Sequence, residues 1–258
     1  MSLSLEGRNA LVTGAGKGVG RGIALQLARA GCDVAVNDHS DRAGAEATAA
    51  GIEALGRRAF PVFADVGNAG DVAAMFDVVL REFERLHIHI NNAGCETFKP
   101  LLELEERDWD RVIGANLKGC FLCTQRAARH MREKGGGRIV NIGSGCNKVP
   151  FANMASYTAS KGGIEMFTKV AAVELGRYNI TVNCVAPGAI ETERTKRQVG
   201  DYAATWGALT PLGRIGTVQD VADAVAFLAT DQASFITGQT IRVDGGLFVK
   251  PQWPREYD

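Results

Sequence analysis

The chain lacks the features that mark membrane proteins and nucleic-acid-binding proteins. No apolar run reaches the ~20 residues that a membrane-spanning helix needs. The 29 basic and 29 acidic side chains balance to a formal net charge of zero, so the basic field that attracts nucleic acid or anionic lipid is missing. We therefore expect neither a nucleic-acid partner nor a membrane partner.

Targeting signals and a disulfide framework are also missing. Residues 1–8 contain no basic region followed by a long apolar stretch, so we expect no secretory signal. Six cysteines in 258 residues are too few for a disulfide scaffold, and we expect them reduced in a cytoplasmic protein. Cys120 and Cys123 form a C-x-x-C string without a second pair, which favours small apolar packing over a redox or zinc role. We expect no metal site.

Apolar, β-rich runs alternate with amphipathic segments along the whole chain. The predicted strands are residues 9–13, 33–37, 58–63, 88–91, 138–142, 180–185 and 240–243. The predicted helices are residues 19–30, 43–55, 72–83, 107–131, 157–177 and 218–229. Residues 10–12 and 34–36 are continuously apolar, as in a parallel sheet that is buried on both faces. The order predicts right-handed crossovers and a doubly wound α/β fold.

The chain has no Pro/Ser-rich linker and no low-complexity tract, so we predict one domain over residues 1–258. Residues 191–216 interrupt the strand–helix pattern. They are polar, contain Trp206 and Pro211, and are long for a connection. Because long ordered loops in compact domains are often lids, we expect a small lid after the sixth strand.

A glycine-rich loop follows the first strand and opens the first helix. Its residues are Thr13, Gly14, Ala15, Gly16, Lys17, Gly18, Val19 and Gly20. Glycines at such a junction permit a tight turn and let the backbone approach a diphosphate, which then lies on the helix N-terminus. Glycine-rich turns also occur without ligands, but the strand before and the helix after favour dinucleotide binding.

Asp38 ends the second strand, where a carboxylate can accept hydrogen bonds from an adenosine ribose. The same charge would repel a 2′-phosphate, by up to ~4 kcal/mol if partly buried. An ordinary turn residue is the alternative for Asp38. Lys17 instead favours NADP, because its ammonium could pair with a 2′-phosphate. We therefore expect NAD as the cofactor and keep NADP as the alternative.

Tyr157 and Lys161 form a Y-x-x-x-K string, which puts a phenol and an ammonium on one helix face. A phenol titrates near ~10 and carries protons poorly at neutral pH. At an effective dielectric of about 20, a cation ~4 Å from the phenolate stabilises it by ~4 kcal/mol. This is enough to lower the pKa of the phenol by about three units. Such a Tyr can act as an acid/base near neutral pH. The string alone also occurs by chance in many helices.

The full set of motifs resembles the short-chain dehydrogenase/reductase family, from Leu11 to Gly246. The motifs, in order, are Thr13-Gly-x-x-x-Gly18-x-Gly20, Asp65-Val66, Asn91-Asn-Ala-Gly94, Asn116, Ser144, Tyr157-x-x-x-Lys161, Pro187-Gly188 and Thr192. The resemblance implies a single Rossmann-like domain with a seven-stranded parallel sheet and helices on both faces, and a homotetramer.

The resemblance also implies catalytic roles. Tyr157 would exchange a proton with the substrate oxygen, to which Ser144 would donate a hydrogen bond. Lys161 would lower the pKa of Tyr157 and hold the nicotinamide ribose. Asn116 would anchor a water between Lys161 and solvent through a bend in its helix. Taken singly, Ser144 could be a turn residue and Asn116 a helix kink.

Further residues would hold the cofactor. Asp65 would accept from the adenine amine, with Val66 beneath the ring. The remaining expected contacts lie after the fourth and sixth strands, at Asn92, Ala93, Gly94, Pro187, Gly188, Ile190 and Thr192.

The chain departs from related sequences at His87, His89, Cys95 and an extension at its C-terminal end. His87 stands where they often carry Asp and His89 where they carry an apolar residue, and we expect both to be packed or rim histidines rather than metal ligands. Cys95 follows Gly94 where an aliphatic residue is commoner. An extension over residues 247–258 carries three aromatic residues after Leu247 and could fray or dock on a neighbouring subunit.

We predict reversible hydride transfer between NAD(P) and a secondary alcohol/ketone pair. The residues expected around the substrate are mixed and moderately polar: Cys95, Thr97, Cys146, Asn147, Asn153, Met154 and the lid. They favour a sugar, a polyol or another polar hydroxy compound as the small-molecule substrate. The alternative is a 3-oxoacyl-carrier-protein reductase, for which Arg126, Arg129, Arg132 and Lys134 could supply a basic docking patch. Less favoured are a cofactor-binding protein without turnover and a lyase or epimerase that uses bound NAD.

Overall fold

A computed structural model describes residues 4–197 and 200–249. Within these ranges seven strands form one parallel sheet in the order β3-β2-β1-β4-β5-β6-β7. The strands are β1 Asn9–Val12, β2 Asp33–Asp38, β3 Ala59–Phe63, β4 Ile88–Asn91, β5 Gly137–Ile142, β6 Ile180–Pro187 and β7 Thr240–Val243. The prediction of a single Rossmann-like domain with a seven-stranded parallel sheet is confirmed.

The helices lie on both faces of this sheet. They are α1 Gly18–Arg29, α2 Arg42–Glu53, α3 Ala69–Phe83, α4 Glu106–Ile113, α5 Gly119–Glu133, α6 Ala155–Leu175, α7 Tyr202–Leu209 and α8 Val218–Ala229. Side chains of α1, α2 and α8 pack in one buried cluster with alternate strand residues such as Val12. Side chains of α3, α5 and α6 form the other cluster, with Leu11. Strands buried on both faces explain why their sequences are continuously apolar.

Side chains cap the starts of two helices, α2 and α8. The Asp41 carboxylate accepts a hydrogen bond from the Gly44 N–H at 3.0 Å at the start of α2. Thr217 and Asp220 form a reciprocal capping box at the start of α8. These local bonds satisfy N–H groups that a helix start leaves without partners.

The helix predicted over residues 107–131 is not regular. It divides into α4 and α5, and a π-helical turn over Gly114–Lys118 joins them. The expected bend at Asn116 is this turn, since π-helical turns locally widen a helix. The structure also contains α7, which the sequence analysis missed inside residues 191–216.

The topology determines where a site can form. β1 pairs with β2 on one side and with β4 on the other, so the chain direction across the sheet reverses between β1 and β4. In open parallel sheets the crevice outside the carboxyl ends of the strands at such a point is the usual ligand site. Among the described residues, no helix is both long and apolar enough to cross a membrane.

Candidate active site

A cleft of about 1030 Å³ opens at the carboxyl ends of the strands. Most of the predicted site residues line it: Gly14, Lys17, Gly18, Val19, Gly20, Asp38, Asp65, Val66, Asn92, Ala93, Gly94, Ser144, Tyr157, Lys161, Pro187, Gly188, Ile190 and Thr192. Three others, Thr13, Gly16 and Asn116, do not line the cleft and lie behind its wall.

The glycine loop forms one wall of the cleft. Gly14 and Gly18 have φ values of 60° and 55°, in the left-handed region that glycine tolerates best. A side chain at Gly20 would collide with the Gly14 carbonyl and the Asn92 amide. Glycine is therefore required at position 20 for the loop to pack against the segment after β4.

Thr13 and Asn92 join this loop to the segment after β4. The Thr13 hydroxyl accepts hydrogen bonds from the N–H groups of Asn92 and Ala93 at 3.0 and 3.1 Å. The Asn92 amide donates to the carbonyls of Thr13 and Gly14, both at 2.9 Å. Thr13 therefore supports the loop from behind.

Asp38 is buried and accepts three backbone hydrogen bonds. One carboxylate oxygen accepts from the Gly16 N–H at 3.2 Å, and the other from Ser40 and Asp41 at 3.1 and 3.0 Å. Asp38 thus also fulfils the alternative role of a turn residue. A carboxylate has about four lone-pair sites, so one remains for a ligand hydroxyl.

Lys17 lies near Asp38 but is already paired. Its ammonium is 3.4 Å from the Asp41 carboxylate, and 72% of its side chain is exposed. The pKa of Asp41 is lowered by the Gly44 N–H and, to a smaller extent, by Lys17. A 2′-phosphate would have to compete with Asp41 for this cation.

Asp65 and Val66 lie at the end of β3, beside the glycine loop in the cleft. Asp65 accepts a hydrogen bond from the Gly67 N–H at 2.8 Å, which fixes a tight turn. The Val66 side chain is buried. A side chain at Gly119 would collide with it, so α5 approaches this turn closely.

Ser144, Tyr157 and Lys161 meet on the opposite wall. Ser144 follows β5, and its hydroxyl accepts from the Cys146 N–H at 3.2 Å. Tyr157 keeps part of its surface exposed, whereas Lys161 is buried. The Lys161 ammonium donates to the Ile142 carbonyl at 2.7 Å and lies 5.5 Å from the centre of the Tyr157 ring.

In this arrangement the pKa of Tyr157 is raised, and Lys161 is not among the groups that shift it. Burial raises the pKa of Tyr157 to about 12, and the Ser144 hydroxyl beside it offsets part of the rise. Burial also lowers the pKa of Lys161. The physical reason is that the charged form of either group loses hydration, while the ammonium is directed at a carbonyl and not at the phenol.

Asn116 lies in the π-helical turn and connects two segments around the site. Its amide oxygen accepts from the Cys95 N–H at 2.8 Å. Its amide nitrogen donates to the Cys95 carbonyl and the Ser160 hydroxyl, both at 2.9 Å. A side chain at Gly94 would lie 2.8 Å from the Asn116 amide oxygen, so this contact requires glycine.

The segment after β6 completes the cofactor side of the cleft. The Gly188 N–H donates to the Val243 carbonyl at 2.9 Å, which extends the pairing with β7. Ile190 is buried and pairs with Gly216. The Thr192 N–H donates to the Thr195 hydroxyl at 2.8 Å, so the backbone turns at this point.

The residues expected around the substrate divide into three groups. Cys95 lines the cleft. Thr97, Cys146 and Met154 are buried, and Thr97 accepts from the Arg111 guanidinium at 2.7 Å. Asn147 is half-buried and Asn153 is exposed.

Several cleft residues were missed by sequence reasoning. Arg194 forms an ion pair with Glu96 across the cleft mouth. Tyr202, on the missed helix α7, also lines the cleft. Tyr202 and Trp206 are four residues apart, which is the spacing of a shared helix face and could have suggested α7.

Comparison with known proteins gives matches over nearly the whole chain. A family described as Enoyl-(Acyl carrier protein) reductase matches residues 14–248. A 3-oxoacyl-[acyl-carrier-protein] reductase FabG of Staphylococcus aureus is 43% identical over 242 residues, which cover 94% of this chain and 98% of that protein.

Solved structures agree in fold. The crystal structure of a putative short-chain alcohol dehydrogenase from Sinorhizobium meliloti has a TM-score of 0.93 at 37% identity, covering 97% of this chain and 100% of that one. A gluconate 5-dehydrogenase from Burkholderia cenocepacia, in complex with NADP and tartrate, has a TM-score of 0.91 at 36% identity, covering 97% and 98%.

These matches agree with the ordered motifs and with the geometry of the cleft. The family uses NAD or NADP and acts on small molecules. The chain is an oxidoreductase and belongs to the short-chain dehydrogenase/reductase family.

Proposed function

We propose that the chain interconverts a secondary alcohol and a ketone, with Tyr157 as acid/base and NAD as the preferred cofactor. The observation that carries this proposal is the meeting of Ser144, Tyr157 and Lys161 on one wall of the cleft, opposite the glycine loop and Asp38.

The residues of the cleft fit a dinucleotide. Gly18 faces the cleft, and an added Cβ would meet only a Thr192 methyl at 3.9 Å. No side chain caps the start of α1, and no acidic residue lies in its first turn. The N–H groups of this helix start are therefore available for a diphosphate.

Bound NAD would supply the hydride acceptor, and the protein would manage one proton. Ser144 donates a hydrogen bond to the substrate oxygen. During oxidation Tyr157 takes the proton of the substrate hydroxyl. Lys161 favours the phenolate once its ammonium turns from the Ile142 carbonyl toward the phenol. Asn116 holds α6 against the segment after β4 and keeps Tyr157 and Lys161 at the cleft.

The preference for NAD rests on Asp38 and Lys17. Asp38 has one lone-pair site left for a ribose hydroxyl, and its charge opposes a 2′-phosphate. The cation that would favour the phosphate is paired with Asp41.

We further propose that residues 191–216 act as a lid and that the protein is a homotetramer. The Glu96–Arg194 ion pair joins this segment to the opposite side of the cleft mouth. Slower hydrogen exchange in α7 on adding NADH would support closure.

Four apolar side chains are exposed on α5 and α6, and they support a subunit interface on these helices: Phe121, Met166, Val170 and Val173. Analytical ultracentrifugation tests the assembly.

The proposed substrate is a sugar, a polyol or another polar hydroxy compound. A second candidate, reduction of a 3-oxoacyl group on a carrier protein, is favoured by the Staphylococcus relative. Among the four cations suggested as a docking patch, Arg126 is paired with Asp77 and Arg132 with Glu133, and none of the four lines the cleft.

Nicotinamide absorbance tests the proposal. NAD and NADP are each supplied with sugars, polyols, hydroxy acids and 3-oxoacyl thioesters. Turnover of a polar alcohol, faster with NAD, supports the proposal. Turnover limited to the thioesters favours the second candidate. Tight cofactor binding without any turnover indicates a binding protein.

A further inference from the structure

An ion pair closes the mouth of the cleft. The Arg194 guanidinium contacts the Glu96 carboxylate, and both residues line the cleft. Arg194 belongs to the segment after β6 and Glu96 to the segment after β4, so the pair joins opposite walls. The Arg194 side chain is 61% exposed and the Glu96 side chain 21%. An ion pair with this exposure contributes little to stability, so another anion can replace Glu96 at low cost.

The Glu96 half of this pair is held in place by its neighbours. The Arg111 guanidinium donates to the Glu96 carbonyl at 3.3 Å and to the Thr97 hydroxyl at 2.7 Å. On the other side, Cys95 exchanges two hydrogen bonds with the Asn116 amide, at 2.8 and 2.9 Å. The backbone that carries Glu96 is therefore fixed between two anchors.

The backbone that carries Arg194 is fixed as well, beside the start of α1. The Thr195 hydroxyl accepts from the Thr192 N–H at 2.8 Å and donates to the Ile190 carbonyl at 3.0 Å. A Cβ added at Gly18, the first residue of α1, would lie 3.9 Å from the Thr192 methyl group. The same turn therefore carries both this contact and Arg194, and a change of partner requires only the exposed Arg194 side chain to rotate.

A diphosphate at the start of α1 needs more positive charge than the helix supplies. A helix N-terminus carries only about half an elementary charge, whereas the diphosphate is doubly negative. Lys17 at this helix start is paired with Asp41, and the Lys161 ammonium donates to the Ile142 carbonyl. Arg194 is carried by the turn that contacts the helix start, and a guanidinium can bond two phosphate oxygens at once.

We propose that Arg194 binds the diphosphate of the dinucleotide and that Glu96 occupies the Arg194 guanidinium in the free protein. On binding, the cofactor replaces one carboxylate by a more highly charged anion, and the segment after β6 becomes attached to the cofactor. Glu96 is therefore a built-in competitor of the diphosphate. This inference rests on the dinucleotide site of the proposed function and adds two residues that lie outside the motifs of the sequence.

Calorimetric titration of NADH and of ADP-ribose tests the role of Arg194. ADP-ribose keeps the diphosphate but lacks the nicotinamide ring. Arg194→Met should weaken the binding of both ligands about tenfold, because a charge-assisted hydrogen bond is lost. Unchanged affinity for both ligands, or a loss for NADH alone, would contradict a contact with the diphosphate.

Replacement of Glu96 tests the competition. Glu96→Gln should strengthen the binding of both ligands by up to about fivefold, since Arg194 is released. In an Arg194→Met background the same change should have little effect, because the two substitutions act on one interaction. An equal gain in both backgrounds would show that Glu96 acts only through its general negative charge, and the exchange of partners would be wrong.

The chain offers a matched ion pair as the control. Lys196 pairs with Glu191 at 2.9 Å in the same segment, and neither residue is among the described residues that line the cleft. Lys196→Met and Glu191→Gln should therefore leave the affinity for ADP-ribose close to the wild-type value. Equal losses in Lys196→Met and Arg194→Met would reject a specific role of Arg194.

The results separate this inference from the proposed function. If Arg194→Met binds both ligands like the wild type while Tyr157→Phe abolishes turnover, the inference fails and the proposed function stands. If Arg194→Met weakens binding as expected but the wild type turns over no alcohol or ketone, the diphosphate contact stands and the proposed function fails. Absence of dinucleotide binding to the wild type rejects both.

Discussion

The Lys161 ammonium lies 5.5 Å from the centre of the Tyr157 ring but donates its hydrogen bond to the Ile142 carbonyl at 2.7 Å. The cation and the phenol therefore share a helix face, while burial is the largest cause of the raised pKa of Tyr157. The proposed acid/base role of Tyr157 requires the ammonium to favour the phenolate near neutral pH, and this requirement can be tested directly.

Replacement of Lys161 by Met should move the pH profile of alcohol oxidation upward. Oxidation needs the phenolate, so the rate rises with pH through the apparent pKa of Tyr157. Without the cation this pKa should rise by on the order of one unit or more. The measurement is kcat/KM against pH for both proteins. An unchanged midpoint would show that Lys161 does not act on the phenol.

Replacement of Asp38 by Ser should shift the cofactor preference from NAD toward NADP. The change removes an acceptor for the ribose and a charge that opposes a 2′-phosphate. We expect the ratio of kcat/KM for the two cofactors to change by roughly tenfold, which corresponds to about 1.4 kcal/mol. Lys17→Ala, which removes an exposed ion pair, is the control and should change the ratio in the opposite direction or not at all.

His89 should make the fold sensitive to acid. Its ring is buried, contacts the Asn91 amide oxygen at 2.9 Å, and burial lowers its pKa to about 4. The unfolded chain takes up this proton near the ordinary pKa of ~6.5. Between these values the unfolded state binds more protons, so stability falls as pH falls, by about 3 kcal/mol in all.

Urea unfolding near neutral pH and near pH 4.5 tests this expectation with His89→Leu. The variant should be less stable at neutral pH, because the Asn91 amide loses a partner at a cost of about 1–3 kcal/mol. It should lose less stability on acidification than the wild type. An equal loss in both proteins would assign the acid sensitivity to other groups.

Features that depend on local chemistry were predicted well from the sequence. The helix over 218–229 was predicted with the bounds of α8, because Thr217 and Asp220 cap it within one turn. The glycine loop was predicted because a strand, a turn and a helix start each leave a local signal. The seven strands were found because a parallel sheet buried on both faces requires continuous apolar runs.

Features that depend on distant contacts were not predicted. The helix α7 was missed because residues 191–216 lack a clear apolar period. The contact of Phe248 with Gly145 joins segments about a hundred residues apart, and no local pattern encodes it. The direction of the Lys161 ammonium depends on the Ile142 carbonyl of β5, so the i, i+4 spacing could place the two groups on one face without fixing their contact.

The most direct test of the account is the turnover of Tyr157→Phe, measured together with cofactor binding by fluorescence. The variant lacks only the phenol oxygen, so cofactor affinity should remain close to that of the wild type. Because a positioned acid/base contributes about 10²–10⁴-fold, kcat should fall by at least about a hundredfold. Turnover close to the wild-type value with an intact cofactor site would contradict the assignment of Tyr157 as the acid/base.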